Sequence, residues 1–430
     1  MTARSLLSRR RFGLGAFGAG ALGTLSITRT AFGAPTLDSG TGENSGLGPL
    51  PAKGPRILCY VGGYTKHAPP GGAGNGQGIA TYELNLADGS LVPRSVFTDI
   101  ASPSFITLSP DHRFLYALSE IDDYNAGHDG SVTAFSIDPA TGALRKINTV
   151  SSGGSVPAHL SVHKNGRFVL VANYVGGSIA VLPIKPDGSL GEATDVYKAT
   201  GPKMPERAAD NPPGNFAVSD HSGSHMHMVH SDPSGNFVLA DDAGLDRVYV
   251  WKLSDDGKLV PAKTPFITAE PGSAPRHFAF SPDGRILYNL GEQDSRVVVS
   301  DFDPQTGEIK PRQSVSTVTE HFRGSTLAAE ILVGPKGDKL YVSNRLGDSL
   351  AVFHIAADGS LTLIEEIWMH ADYGRALMFE PTGRYLFCTN QRSDSITSFK
   401  VDPATGKLSF TWKFTPIGSP TTMAFVTLKA

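Results

Sequence analysis

The sequence predicts an all-β fold, a seven-bladed β-propeller with four-stranded blades, the ring closed by pairing of the N- and C-terminal strands. Three observations carry this. A turn signature of Asp or Thr, then Gly, a variable residue and Leu or Ile occurs seven times, with its glycines (Gly89, Gly142, Gly188, Gly257, Gly307, Gly359 and Gly406) about 53 residues apart on average. That is the period of a propeller blade and longer than that of a helical solenoid. A second turn, built around Pro-Asp-Gly as in Ser281-Pro282-Asp283-Gly284, precedes each of the last six copies, so every repeat divides into four short strand-like runs. Finally, the first repeat starts at residues 57–64 without an innermost strand, while the chain ends in an apolar run, 422–428, with no repeat of its own. Joined, the two make one shared blade and leave no free sheet edge.

From the N-terminus, residues 1–33 hold five arginines (Arg4, Arg9, Arg10, Arg11 and Arg29) and no acid. Ser8-Arg9-Arg10-Arg11-Phe12-Gly13-Leu14 reads as a twin-arginine export signal, followed by an uncharged Gly/Ala-rich stretch and small residues at Ala31 and Gly33. Cleavage is expected near Gly33, and the stretch is too short and too rich in glycine for a stable spanning helix. Residues 34–55, rich in Gly, Pro, Ser and Thr, read as a linker, and 56–430 as the propeller domain. Removing the signal takes the net charge from −3 to about −8, the wrong sign for tracking nucleic-acid phosphates. The expected product is a periplasmic or extracellular monomer, free of the membrane after signal cleavage and acting on a small molecule.

Only Cys59 and Cys388 are present, each within an apolar alternating run, which excludes a zinc cluster or a disulfide framework. They read as buried strand cysteines, with a single bridge open to them if ring closure brings them together.

Seven copies of one unit can be compared with each other. The third residue before the Pro-Asp-Gly-type turn is always apolar (Ile106, Leu160, Val229, Phe278, Ile331, Leu377), as packing between blades demands. The two positions before it diverge: Ser104/Phe105, Ala158/His159, His227/Met228, Arg276/His277, Ala329/Glu330 and Arg375/Ala376. So does the end of the second strand, with Ser119/Glu120, Asn173/Tyr174, Asp242/Ala243, Gly291/Glu292, Asn344/Arg345 and Asn390/Gln391. In a propeller these two places lie on one face around the central channel, where loops on a rigid scaffold carry function.

The longest interval carries an insertion, residues 199–224, leading into His221, His225, His227 and His230. His-x-His at a strand start invites a metal reading, but no cysteine or fixed carboxylate spacing completes a first shell, and neither metal nor cofactor is expected. Acid–base chemistry on a carbonyl or anionic substrate fits the residue set better. His159, His225, His227 and His277 titrate near neutrality, Glu292 and Glu330 can orient an imidazole, and Arg276 and Arg345 can hold an anion or oxyanion. Asn173, Asn344 and Asn390 complete the predicted substrate-binding set. No nucleophile elbow, phosphate loop or His-Glu-x-x-His occurs.

At these same segments the sequence resembles the seven-bladed propeller lactonase family, which includes propeller-type 6-phosphogluconolactonase and fungal carboxy-muconate cycloisomerase. The matching stretches include Pro157-Ala158-His159-Leu160, Asn173-Tyr174-Val175-Gly176-Gly177, His225-Met226-His227, Ala274-Pro275-Arg276-His277, Ala329-Glu330-Ile331 and Ser343-Asn344-Arg345. The resemblance implies a metal-independent lactone site in the channel mouth and favours His159, His225, His227, Arg276, Glu330 and Arg345. Two departures stand out: the insertion offers only Arg207 where the family often has Arg-Gln, and Tyr373-Gly374-Arg375 replaces a more usual Gly-Pro-Arg. Export argues against a phosphorylated sugar lactone as substrate and for an unphosphorylated or carboxylated one. The reading is therefore an exported lactonase in which His159 or one of His225 and His227 takes a proton from water. The alternatives are a non-catalytic ligand- or protein-binding propeller and a metalloprotein using His221, His225 and His227.

Overall fold

The computed structural model describes residues 56–428 except 66, 69–71 and 126; the expected export signal, 1–33, and the expected linker, 34–55, lie outside the described residues. Seven four-stranded antiparallel sheets follow one another, with no helix among the described residues. Blade 1 takes in the last strand: Pro420–Thr427 lies innermost and pairs antiparallel with Ile57–Gly63, followed outward by Ile79–Asn85 and Ser90–Phe97, while His67–Ala68 and Gly72–Ala73 form a separate two-stranded sheet between Ile57–Gly63 and Ile79–Asn85 in sequence. Blades 2 to 7 are each continuous in sequence, with innermost strands Ile106–Leu108, Pro157–Val162, Met226–Ser231, Pro275–Phe280, Leu327–Val333 and Gly374–Phe379. The repeat count and the shared closing blade are thus as the sequence predicts.

Each sheet is covered on both faces by its neighbours, which is why the inner strands read as unbroken apolar runs rather than strict alternations. The closing strand illustrates it. Met423 and Phe425 pack with Phe387 of blade 7, while Ala424 and Val426 pack with Ile106 and Leu115 of blade 2.

The repeated turn has a structural task. All seven signature glycines sit at φ between 72° and 83°, a left-handed conformation that other residues adopt only at a cost. At Gly188 a Cβ would also strike Phe114 of the preceding blade, 2.2 Å away. In four blades a second-strand tyrosine donates its hydroxyl to the next blade's turn carbonyl: Tyr60 to Gly142 at 2.7 Å, Tyr116 to Gly188 at 3.2 Å, Tyr288 to Gly359 at 3.1 Å and Tyr341 to Gly406 at 2.8 Å. The signature therefore docks each blade onto its neighbour. Cys59 and Cys388 are both buried free thiols on the second strands of blades 1 and 7.

Candidate active site

Five innermost strands carry a β-bulge at the same level. Their registers shift between Pro157 and His159, Met226 and Met228, Pro275 and His277, Ala328 and Ile331, and Gly374 and Ala376. A bulge adds one unpaired residue and re-aims a side chain. The alternation of sides is broken there, so adjacent residues such as Arg276 and His277 both make polar contacts with neighbouring blades. The residue entering three of these strands is held at positive φ, 51° at Val156, 53° at Ala274 and 67° at Tyr373. Such a conformation costs on the order of 1–3 kcal/mol for a non-glycine residue and persists only where its surroundings enforce it. Here the enforcement is a backbone clamp. The Tyr174, Glu292 and Gln391 amides, all just past the second strand, donate to the Val156, Ala274 and Tyr373 carbonyls at 2.9, 2.8 and 3.1 Å.

Three imidazoles gather on blades 3, 4 and 5. The His277 ring lies edge-on to His159 and to His227, with centroids 5.5 and 5.1 Å apart, and Phe105 of blade 2 packs on His159 at 4.2 Å. His277 Nδ1 lies 2.9 Å from Glu330 Oε1 on blade 6. His277 Nε2 and His227 Nδ1 are buried and have no hydrogen-bond partner among the described residues. Unpaired polar atoms in a native interior are uncommon, and two at one place mark where a ligand or water would bind.

Beside them lies a guanidinium–carboxylate cluster. Glu292 Oε2 accepts from Arg276 Nε at 3.0 Å and Arg345 Nη2 at 2.6 Å, while its Oε1 accepts from Ser219 Oγ of the insertion at 2.9 Å. Arg276 also donates to the Ala329 carbonyl, and Arg345 to Tyr373 Oη at 3.3 Å and the Ala328 carbonyl at 3.2 Å. On blades 1, 2 and 7, Tyr64 Oη lies 3.0 Å from both Glu120 oxygens, and the Arg375 guanidinium stands 5.5 Å from the Tyr64 ring centroid.

Burial and neighbours set the protonation states. His159, His227 and His277 are pushed well below the usual imidazole range, first by burial and then by nearby positive charge, including Arg276 in all three cases, so they are neutral at pH 7. Burial lifts Glu330 to about 7 against the opposing pull of Arg276. Burial also opposes ionisation of Glu292, but Arg345 and Arg276 together outweigh it and hold the carboxyl down at about 2. The cluster therefore contains a permanent anion, Glu292, and a carboxyl poised near neutrality, Glu330.

His159, His227, His277, Glu330, Arg276, Glu292 and Arg345 thus share one connected site. Other expectations need correction. Glu292 orients no imidazole, because both its oxygens are taken by two guanidiniums and a hydroxyl. Of the two glutamates, Glu330 does meet an imidazole, but that of His277 and neither His159 nor the 225/227 pair. Both His225 nitrogens are engaged, Nδ1 near the Tyr174 carbonyl at 3.1 Å and Nε2 near Asp220 at 3.2 Å, with its ring stacked on Tyr174. Asn173, Asn344 and Asn390 donate to the scaffold: Asn173 Nδ2 to the Ser152 carbonyl on the link from blade 2 at 3.0 Å, Asn344 Nδ2 to Thr317 O on the link from blade 5 at 3.0 Å, and Asn390 Nδ2 to Thr397 Oγ1 of its own blade at 3.1 Å. His221 binds Asp246 at 3.3 Å, so His221, His225 and His227 do not converge, and no group of three potential ligands with metal-site geometry occurs among the described residues. Arg207 donates to the Phe216 carbonyl within the insertion at 2.8 Å. Sequence reasoning left out Tyr64 and named Glu120, Tyr373 and Arg375 without giving them a role. The signal for Glu120 was available, since it ends its second strand in blade 2 as Glu292 does in blade 5.

Comparison with known proteins matches residues 58–425 to the family described as "Lactonase, 7-bladed beta-propeller". A 6-phosphogluconolactonase of Bacillus subtilis is 30% identical over 355 residues, covering 82% of this chain and 94% of that protein. One from Formosa agariphila is 28% identical over 354 residues, covering 81% and 94%. The structure of a periplasmic gluconolactonase from Pseudomonas aeruginosa superimposes with a TM-score of 0.76 at 30% identity, covering 87% of this chain and all of that one (100%).

Proposed function

The chain belongs to the seven-bladed β-propeller lactonase family, and on that premise we propose that it is an exported hydrolase that opens a sugar or carboxylated lactone at the channel mouth. The observation that carries the chemistry is the Glu330–His277 pair ending in an unpartnered Nε2. A carboxylate that fixes one imidazole nitrogen leaves the other free to act as a base toward water. With Glu330 ionised it accepts the Nδ1 proton, and Nε2 presents its lone pair. Water loses a proton to Nε2 as its oxygen bonds to the lactone carbonyl carbon. The ring C–O bond then breaks, the imidazolium returns the proton to the leaving alkoxide, and a hydroxy acid results. His227 Nδ1 is placed to position the water or the ring oxygen, and His159 with Phe105 walls the pocket behind His277. Export is supported by the twin-arginine motif and by the periplasmic gluconolactonase among the structural neighbours.

The pH dependence follows from the tautomer. Below pH of about 7 Glu330 is protonated and donates to Nδ1, which moves the imidazole proton to Nε2 and removes the base. The deciding experiment is pH-stat hydrolysis of a panel of sugar and dicarboxylate lactones by the mature protein, with and without chelator. Chelator-insensitive turnover that rises through pH 7, and falls by roughly 100-fold or more in His277→Gln, is expected. Release of acid from no lactone, or full turnover in His277→Gln, defeats the proposal.

A further inference from the structure

The mouth holds three arginines, and their surroundings divide them. Arg276 is consumed by Glu292 and the Ala329 carbonyl, and Arg345 by Glu292, Tyr373 and two backbone carbonyls. Arg375 makes no side-chain hydrogen bond and has no carboxylate within 4.0 Å among the described residues. Its guanidinium stands 5.5 Å over the Tyr64 ring, and the carboxylates of Glu120 and Glu292 act on it from beyond salt-bridge distance. Nor is it on the outside. It is the bulge residue of blade 7's innermost strand, the place held by His227 in blade 4 and Arg276 in blade 5. Its charge acts on His227, His277 and Glu330, the groups carrying the unpartnered nitrogens and the poised carboxyl. The guanidinium of Arg375, with up to five N–H donors, therefore has no hydrogen-bond acceptor among the described residues.

Resting on the lactone-opening reading, we infer that Arg375 is the catalytic arginine of this site: its guanidinium takes the carbonyl oxygen of the lactone as negative charge builds there and then holds the carboxylate that ring opening creates. Arg276 and Arg345, which the sequence singled out for this task, instead form the wall with Glu292. A donor already committed to a carboxylate would have to break that bond to serve an oxyanion, whereas an uncommitted one needs no reorganisation at the moment of reaction. The planar fork also matches the two oxygens of a carboxylate product.

The test uses the mature protein with Arg375→Ala and Arg375→Lys, on D-glucono-δ-lactone in the pH-stat, with added guanidinium ion and with melting temperatures recorded. Arg375→Ala should lower kcat by roughly 100-fold, the cost of losing an oxyanion donor. Guanidinium at non-denaturing concentration should restore at least tenfold of that loss, and Arg375→Lys should keep part of the rate. A kcat within threefold of wild type in Arg375→Ala overturns the inference, as does a loss that neither guanidinium nor lysine recovers. Calorimetric titration with gluconate separates this from the lactonase reading. If the wild type opens no lactone but binds gluconate at least tenfold more tightly than Arg375→Ala does, the lactonase reading falls and Arg375 stands as the carboxylate receptor. Equal gluconate affinity in the two, or none in the wild type, overturns the role of Arg375.

Discussion

Glu292→Gln removes the one carboxylate that two buried guanidiniums share, and its cost can be worked from the site. The side chain is 13% exposed, with Arg276 at 3.0 Å and Arg345 at 2.6 Å. Its carboxyl is held at about 2 against an ordinary 4.5. Each unit of difference corresponds to about 1.4 kcal/mol, so the ionised carboxylate contributes about 3 kcal/mol to the folded state. The sign is that of a depressed acid: the contribution is complete above pH 4.5 and is lost as pH falls toward 2. Removing one partner of a buried pair costs about 3–5 kcal/mol in general, which agrees. Urea unfolding at pH 7 should therefore show Glu292→Gln destabilised by about 3 kcal/mol, and the gap should shrink steadily as the comparison is repeated at lower pH. A difference below about 1 kcal/mol at pH 7, or one that does not change with pH, would refute the assignment of Glu292 as the counter-ion of this cluster.

Glu330 predicts the opposite slope. Its carboxyl is raised to about 7, so the folded state holds its proton more tightly than the unfolded chain and stability falls as pH rises from about 4.5 to 7. In the same unfolding measurement Glu330→Gln should gain on the wild type across that window while losing turnover; a constant difference would count against a buried, poised carboxyl. Asn344→Ala should destabilise by about 1–3 kcal/mol, since it strips Thr317 and Ser349 of their partner. Its KM should stay within threefold of wild type, and a raised KM at unchanged stability would return Asn344 to the substrate.

The fold was legible because its repeat is enforced by geometry that a sequence must spell out. Each blade turn needs a residue at positive φ, and each inner strand needs an apolar residue at the level of Ile106 or Leu160. The site was legible only as a set of positions where the repeat disagrees with itself. Which residue meets which was hidden by the bulges, because alternation cannot say where His277 points once Arg276 is inserted out of register. Asn173 and Asn344 misled for a related reason. They stand beside Tyr174 and Arg345 in the sequence, yet they face the turn that joins second and third strands. The partner of Glu330 lies 53 positions away on another blade, and no local pattern marks it.

The closing strand has a consequence for how the protein is made. Ile57 pairs with Thr427, so blade 1 stays one strand short until Pro420–Thr427 has left the ribosome. Pairings of such long range form slowly, because most of the chain must be ordered to bring the ends together. Until then the faces that Met423 and Phe425 cover on one side, and Ala424 and Val426 on the other, are open to water. Synthesis thus ends in an all-or-none latch, and a chain broken off before Pro420 is left as an unclosed crescent with two sticky flanks. The eight-residue strand Pro420–Thr427 is the step on which ring closure waits.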